Sequence, residues 1–160
     1  MTAGRILAGL ASLGLALTAV LAGPVVTTGD PHLAVTEHGV VNGVQTTEVS
    51  LLGETPASTA EAGNCTIPGV LCGSFKNTGS TAVPSIPNWG TQYRGRTIYP
   101  GQNTNQFYAD TDGFVIYRGY TAWVCAPGGY CQNFSAPYGQ RNLKITDAFG
   151  SWTVASRFTG

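Results

Sequence analysis

Two short stretches combine arginine with aromatic residues in the same order. Residues 93–99 read Tyr-Arg-Gly-Arg-Thr-Ile-Tyr and residues 117–123 read Tyr-Arg-Gly-Tyr-Thr-Ala-Trp. A guanidinium pairs with carboxylate, sulfate or phosphate groups, and a neighbouring ring stacks on a sugar or a base. The pattern therefore predicts a repeated strand–turn–strand unit and a ligand-binding surface. The residues of this predicted surface are Tyr93, Arg94, Arg96, Tyr117, Arg118 and Tyr120.

A second interpretation gives the same side chains a structural role. The chain has three Trp, seven Tyr and six Phe residues, and all of them lie beyond residue 63. Aromatic side chains dominate the energetics of small cores, so most of these rings are needed inside the domain. Because the domain has so many aromatic residues, we favour tyrosines packed in the core and arginines exposed to solvent. We keep the ligand-binding surface as the functional hypothesis.

Asp110 and Asp112 are the candidates for acid–base chemistry. Two residues apart on a strand, their carboxylates would share one face, as in a glycosidase pair. The same Asp-x-Asp-Gly sequence could also begin a calcium site, although no third ligand or distal Glu follows in register. We expect a polar turn before a strand instead, because Asp and Gly are typical turn residues.

The other side chains that could serve in catalysis are too few to indicate an enzyme. The only histidines, His32 and His38, precede residue 64, so residues 64–160 cannot form a histidine-assisted serine or cysteine nucleophile. We therefore predict a non-catalytic protein with no cofactor and no metal site.

Four cysteines, all beyond residue 63, predict two disulfides rather than a zinc site. Three connectivities are possible, and we prefer Cys65–Cys72 and Cys125–Cys131, because each pair flanks a short turn containing glycine. Because the loops that they close are short, each disulfide should stabilise the folded protein by roughly 2–3 kcal/mol. Zinc would require closer cysteine spacing and has no histidine available in this part of the chain.

Residues 1–22 resemble an export signal. Arg5 precedes an apolar stretch over residues 6–21, and Ala22 offers a small residue for cleavage. The alternative is a single membrane anchor, which is the only membrane association we expect. Together with the disulfides, this predicts a secreted, extracellular protein.

The zero net charge of the chain hides a marked asymmetry. Residues 23–63 contain five acidic residues and no Lys or Arg, whereas residues 64–160 are net basic. The Asn42-Gly43 pair between β-formers predicts a hairpin over residues 33–52. An isolated hairpin is marginal in water, so we favour a mostly mobile acidic tether that folds back on the basic domain.

Residues 64–160 predict an all-β domain, a small antiparallel β-sandwich or barrel held by the two disulfides. Short β-branched and aromatic runs alternate with Gly and Pro, and helical periodicity is almost absent. Residues 114–134 predict a three-stranded meander. The strands are predicted at residues 71–76, 97–99, 114–117, 120–125, 129–134, 142–146 and 151–155.

The segment from Cys65 to Cys72, followed by a Trp-containing β-rich stretch, resembles secreted crystallin-like bacterial protease inhibitors. The resemblance covers a small part of the chain and implies no residue roles. The function we expect is binding of an extracellular polysaccharide or another anionic polymer, and we expect no nucleic-acid partner. The alternatives are a secreted protease inhibitor that presents the loop from Cys125 to Cys131, and a structural surface or particle component.

Overall fold

The computed structural model describes residues 25–27, 29–53, 65, 72–90, 94–137 and 139–160. The described part of the chain is all-β, with one short 3-10 turn at Thr104–Gln106. It includes no helix with the length and apolarity needed to span a bilayer. The predicted signal at residues 1–22 and the linker at residues 54–63 lie outside the described residues, so the division of the chain at residues 22 and 63 stays a prediction.

Eleven strands form two sheets in the described part of the chain. The first sheet has seven strands in the order β1-β2-β3-β10-β7-β5-β6, and the second has four in the order β4-β11-β8-β9. Most pairings are antiparallel as predicted, but β3–β10 and β4–β11 are parallel. The strands are β1 Val25–Thr27, β2 Leu33–Val41, β3 Val44–Leu51, β4 Phe75–Asn77, β5 Val83–Ile86, β6 Thr97–Ile98, β7 Gly113–Ile116, β8 Tyr120–Cys125, β9 Cys131–Ser135, β10 Gln140–Ile145 and β11 Trp152–Phe158.

The hydrophobic core lies between the two sheets. Trp152 and Phe75 come from the four-stranded sheet and Phe114 from the seven-stranded sheet, and all three are fully buried. The rings of Phe75 and Phe114 have centroids 5.2 Å apart. Burial alternates along β8 and β11 because successive side chains of a strand point to opposite faces, whereas all four residues of β7 are buried. The predicted β-sandwich is confirmed.

The hairpin at residues 33–51 corrects the prediction of a mobile tether. Asn42 and Gly43 have φ values of 51° and 76°, which is the backbone of a tight two-residue hairpin turn. β3 then pairs with β10 along six residues, from Val44↔Gln140 to Val49↔Ile145. An isolated hairpin would be marginal, but this one extends a sheet and contributes fully buried side chains to the shared core.

The predicted meander over residues 114–134 is wrong in its first strand. β7 belongs to the seven-stranded sheet, whereas β8 and β9 pair with each other in the four-stranded sheet. The turn at Arg118-Gly119 therefore carries the chain from one sheet to the other, and Gly119 has a φ of 81°. β5 was not predicted from the sequence, because Pro84 interrupts its β-forming run.

Both preferred disulfides are confirmed. Cys65 bonds to Cys72, and Cys125 bonds to Cys131. Cys125 and Cys131 are also register partners between β8 and β9, so this bond links two paired strands across their turn. Two disulfides are typical of proteins that reside in an oxidising, extracellular environment.

Leucine truncation distinguishes a structural hairpin from a mobile tether. We expect Leu33→Ala, at a fully buried site, to lower the free energy of unfolding by about 2–4 kcal/mol, since it leaves a cavity in the core. Leu52→Ala is the matched control, because Leu52 is 54% exposed; its effect should stay within about 0.5 kcal/mol. Urea unfolding of both variants measures the difference. Equal, small effects would show that the hairpin does not contribute to the core.

Candidate ligand-binding surface

One group of predicted site residues converges on the outward face of the seven-stranded sheet. Arg94 lies before β6, Tyr117 directly follows β7, and Gln140 begins β10. Arg94 Nη1 donates a hydrogen bond to Tyr117 Oη at 3.1 Å, and Nη2 donates to Gln140 Oε1. Gln140 Nε2 in turn donates to Asn142 Oδ1 at 2.5 Å. We call these four residues the Arg94 cluster.

The Arg94 cluster is held by the register of the sheet. Arg141 lies opposite Ile116 in the antiparallel β7–β10 pair, which brings the flanking residues Gln140 and Tyr117 together. Because Ile116 is buried in the core, Tyr117 points outward, and it is 45% exposed. The Arg94 guanidinium carbon lies 5.8 Å from the centre of the Tyr117 ring.

The chemistry of this cluster suits a hydroxyl-rich or acidic ligand. A guanidinium has five N–H donors, and two of its nitrogens are turned towards Tyr117 and Gln140 here. The remaining N–H groups and the amides of Gln140 and Asn142 can pair with sugar hydroxyls or with a carboxylate. The exposed ring of Tyr117 adds a surface for stacking.

The other predicted site residues do not join the Arg94 cluster. The Arg96 guanidinium lies 5.0 Å from the centre of the Phe107 ring, at the edge of the same sheet. Arg118 is exposed at the turn between the sheets. Tyr120 is half-buried, packs against the core and contacts the Phe158 ring edge-on at 5.2 Å between centroids. Tyr93 lies outside the described residues. Of the six, the structure brings together Arg94 and Tyr117.

The sequence echo does not correspond to a repeated structural unit. Gly119 adopts a positive φ in a turn between sheets, whereas position 95 has a glycine because neighbouring atoms leave no room for a Cβ. A Cβ on Gly95 would lie 2.5 Å from Ser85 Oγ and 2.7 Å from Tyr108 Oη. The strands that follow also differ, because β6 pairs with β5 at the sheet edge and β8 lies inside the other sheet.

The acidic hairpin pairs with β10 rather than with the predicted arginines. Glu37 Oε1 lies 3.1 Å from Arg141 Nη1, and Glu48 Oε1 lies 3.2 Å from Lys144 Nζ. Burial lowers the pKa of the Arg141 guanidinium, and the carboxylate of Glu37 opposes that shift. The two ion pairs therefore belong to the architecture of the sheet, and the described carboxylates form no ion pair with Arg94, Arg96 or Arg118.

Asp110 and Asp112 both accept hydrogen bonds from backbone N–H groups in the segments around the start of β7. Asp110 Oδ1 accepts hydrogen bonds from the backbone N–H groups of Gly73 and Thr111, and Asp112 Oδ2 accepts one from Trp89. Residues 110–112 directly precede β7 without an assigned turn, and Asp110 and Thr111 are buried. Within the described ranges, no group of three or more His, Cys, Asp or Glu residues is arranged to hold a metal ion.

Asp110 is nevertheless an unusual carboxyl group. It is 4% exposed, and its Oδ2 has no hydrogen-bond partner. Burial, followed by the negative charge of Asp147, raises the pKa of Asp110 to about 6. Backbone N–H donors oppose this rise but do not cancel it.

Two kinds of candidate binding residues were not predicted from the sequence. Gln140 and Asn142 lie far along the chain from Arg94 and show no local motif, so only the pairing of β7 with β10 reveals them. Trp123 was noted only as the last position of the echo, yet it is 45% exposed on the outward face of the four-stranded sheet. Strand alternation could have identified it, because buried Ala122 and Val124 flank it.

No family model, curated protein or solved structure matches this chain.

The raised pKa of Asp110 predicts a pH-dependent stability. In the unfolded chain this carboxyl ionises near pH 3.8, but in the folded protein it ionises near pH 6. Ionisation of Asp110 therefore lowers the free energy of unfolding progressively between these two pH values, and the loss is complete above pH 6. We expect Asp110→Asn to raise the free energy of unfolding by about 1–3 kcal/mol at pH 8, with a gain that shrinks as the pH falls from 6 to 4.

Urea unfolding at several pH values between 4 and 8 measures this gain. Asp147→Asn is the comparison variant, because it removes one cause of the shift but keeps the Asp110 carboxyl. The stability of Asp147→Asn should still depend on pH, but the dependence should be weaker than in the wild-type protein and should occur at lower pH. A gain from Asp110→Asn that is the same at every pH would contradict the assignment.

Proposed function

We propose that this protein is a secreted, non-catalytic β domain that binds an extracellular polysaccharide or another anionic polymer. The observation that carries the proposal is the Arg94 cluster. It collects a guanidinium, an exposed phenol ring and two amides from three separate chain segments on one outward sheet face. Such a surface offers charge, stacking and directional hydrogen bonds together, which is the combination that recognition of polar polymers requires.

Two further observations support an extracellular binding role. The disulfides fit an oxidising compartment, and the apolar stretch at residues 6–21 fits export. The acids of the hairpin are engaged with Arg141, Lys144 and His38. They consequently leave the basic groups elsewhere on the surface available to an anionic partner.

The loop between Cys125 and Cys131 gives less support to a protease inhibitor. Its exposed residues are Gly128 and Gly129, which have no side chain to enter a protease pocket. Tyr130, the large side chain of this loop, is half-buried and stacks on His32 at 4.2 Å between ring centroids. No feature of the described residues favours this alternative, or a particle component, over polymer binding.

Calorimetric titration against soluble polysaccharides tests the proposal. The panel contains polygalacturonate, hyaluronan, dextran sulfate and neutral dextran. For the polymer that the wild-type protein binds most tightly at low salt, we expect Arg94→Gln to weaken affinity about fivefold, since it removes a charge-assisted contact. Arg118→Gln is the matched control, because Arg118 is an exposed arginine outside the cluster; its affinity should change less than about twofold.

Added salt should weaken binding of the anionic polymers more than binding of dextran, because screening acts on exposed charges. The proposal fails if none of the four polymers binds. Equal effects of the two arginine variants would mean that the Arg94 cluster is not the binding site.

A further inference from the structure

The four-stranded sheet has an outward face that no described element covers with an apolar side chain. Along β8, Ala122 and Val124 are buried in the core, so Thr121 and Trp123 point the other way. The same alternation along β11 turns Ala155 outward. We call this surface the Trp123 face. Its residues are Lys76, Thr121, Trp123, Asn133, Ala155 and Arg157.

The indole of Trp123 lies between two small side chains on this face. β8 is an inner strand of the sheet, and Trp123 is paired with Ala155 of β11 on one side and with Asn133 of β9 on the other. Directly paired side chains are the nearest neighbours on a sheet face. A methyl group and a short amide cannot cover an indole, which explains why Trp123 remains 45% exposed.

The charge of this sheet has one sign. Strands β4, β8, β9 and β11 contain no Asp or Glu, and their basic residues are Lys76 and Arg157. Both are exposed, and neither forms an ion pair with a described residue. Asp30 approaches β9 at the sheet edge, but its carboxylate accepts hydrogen bonds from the backbone N–H groups of His32 and Cys131.

The two cations lie on different sides of Trp123. Arg157 is opposite Thr121, one strand across and two residues along from Trp123, which corresponds to about 7–8 Å between Cα atoms. Lys76 is opposite Thr153, towards the other end of the sheet and one strand farther away. An extended acidic chain can therefore meet a cation on either side of the ring that stacks on the indole.

The disulfide makes this platform rigid. Cys125 and Cys131 are opposite each other between β8 and β9, two residues along from the Trp123–Asn133 pair. The covalent bond prevents the two strands from slipping in register. A preorganised platform loses little conformational entropy when a ligand binds.

We propose that the Trp123 face binds an acidic polysaccharide, with the C–H face of a pyranose ring stacked on the indole. The positively polarised C–H groups meet the electron-rich ring face, and the ring hydroxyls remain free to pair with Asn133 and Thr121. The carboxylates of neighbouring sugars pair with Arg157 and Lys76. This inference rests on the proposed function and adds a second, separate binding face with a defined ligand chemistry.

A single-stranded nucleic acid also stacks and carries negative charge, but this face fits it less well. Nucleic-acid affinity comes mainly from neutralising consecutive phosphates with clusters of Lys and Arg. The four strands provide two cations, one on each side of the indole. A uronic-acid polymer, with its weaker and more widely spaced charge, matches the surface better.

The test uses the full mature protein and polygalacturonate, with highly methyl-esterified pectin as the uncharged form of the same backbone. We expect Trp123→Ala to weaken polygalacturonate binding about tenfold. Trp123→Tyr, which keeps a stacking ring, should restore most of the affinity. Lys76→Gln combined with Arg157→Gln should abolish the preference for polygalacturonate over esterified pectin.

Fluorescence gives an independent readout of the same contact. Trp152 is fully buried, Trp89 is half-buried and Trp123 is 45% exposed, so acrylamide quenching of tryptophan emission reports mainly on Trp123, and the Trp123→Ala variant measures the remaining contribution of Trp89. Polygalacturonate should protect the wild-type emission from quenching and should have little effect on the emission of Trp123→Ala. Tyr99→Ala is the control for nonspecific aromatic contacts, because Tyr99 is 60% exposed in the turn after β6 and is not part of the Trp123 face; it should bind like the wild type.

The outcomes separate this inference from the proposed function. Unchanged affinity of Trp123→Ala overturns the Trp123 face, and the polymer panel with Arg94→Gln still decides the proposed function. Tighter binding of oligo-dT than of polygalacturonate, or no binding of polygalacturonate, also overturns it. A loss in Trp123→Ala with no loss in Arg94→Gln supports the Trp123 face and removes the Arg94 cluster as the site.

Discussion

The parallel pairing of β3 with β10 is the contact on which the rest of the architecture depends. It joins a hairpin from the first third of the chain to a strand about a hundred residues later. Closing so long a loop costs conformational entropy, and the cost is offset by burial on the inner side of the new sheet. Val49 and Ile145, which are register partners, are both buried in the shared core.

The same pairing brings the acidic residues of the hairpin next to basic residues from the later part of the chain. Glu48 on β3 meets Lys144 on the adjacent strand β10, and Glu37 on β2 reaches across β3 to Arg141 on β10. Glu37 and Arg141 lie on the inner side, where Arg141 also faces the Phe134 ring at 6.0 Å. Because the acids are engaged here, the basic residues of the outward surfaces are left to interact with solvent or with an anionic ligand.

Local features were predictable from the sequence and long-range partners were not. The disulfide between Cys125 and Cys131 follows from a short turn, and the Asn42-Gly43 hairpin follows from a two-residue turn motif. Sheet membership depends on which distant strand lies alongside, so β7 was wrongly joined to β8. The hairpin was wrongly judged mobile for the same reason, since its stability comes from β10.

In the candidate site, too, local features were predictable and long-range partners were not. The sequence placed Arg94 and Tyr117 in one predicted surface, and the structure brings them into contact. Gln140 completes the cluster only through the β7–β10 register, which no local motif encodes. Tyr120 was included because it follows the second Tyr-Arg-Gly, but the turn at Gly119 sends it into the other sheet and against the core.

The sandwich separates its two candidate surfaces by the thickness of the core. The Arg94 cluster lies outward on the seven-stranded sheet, and the Trp123 face lies outward on the four-stranded sheet, so the two surfaces face away from each other. A stiff polymer segment that contacts one surface cannot reach the other. Two independent surfaces on a rigid domain would therefore engage different chains or distant parts of one chain, and binding would gain strength through multivalency rather than through a single large interface.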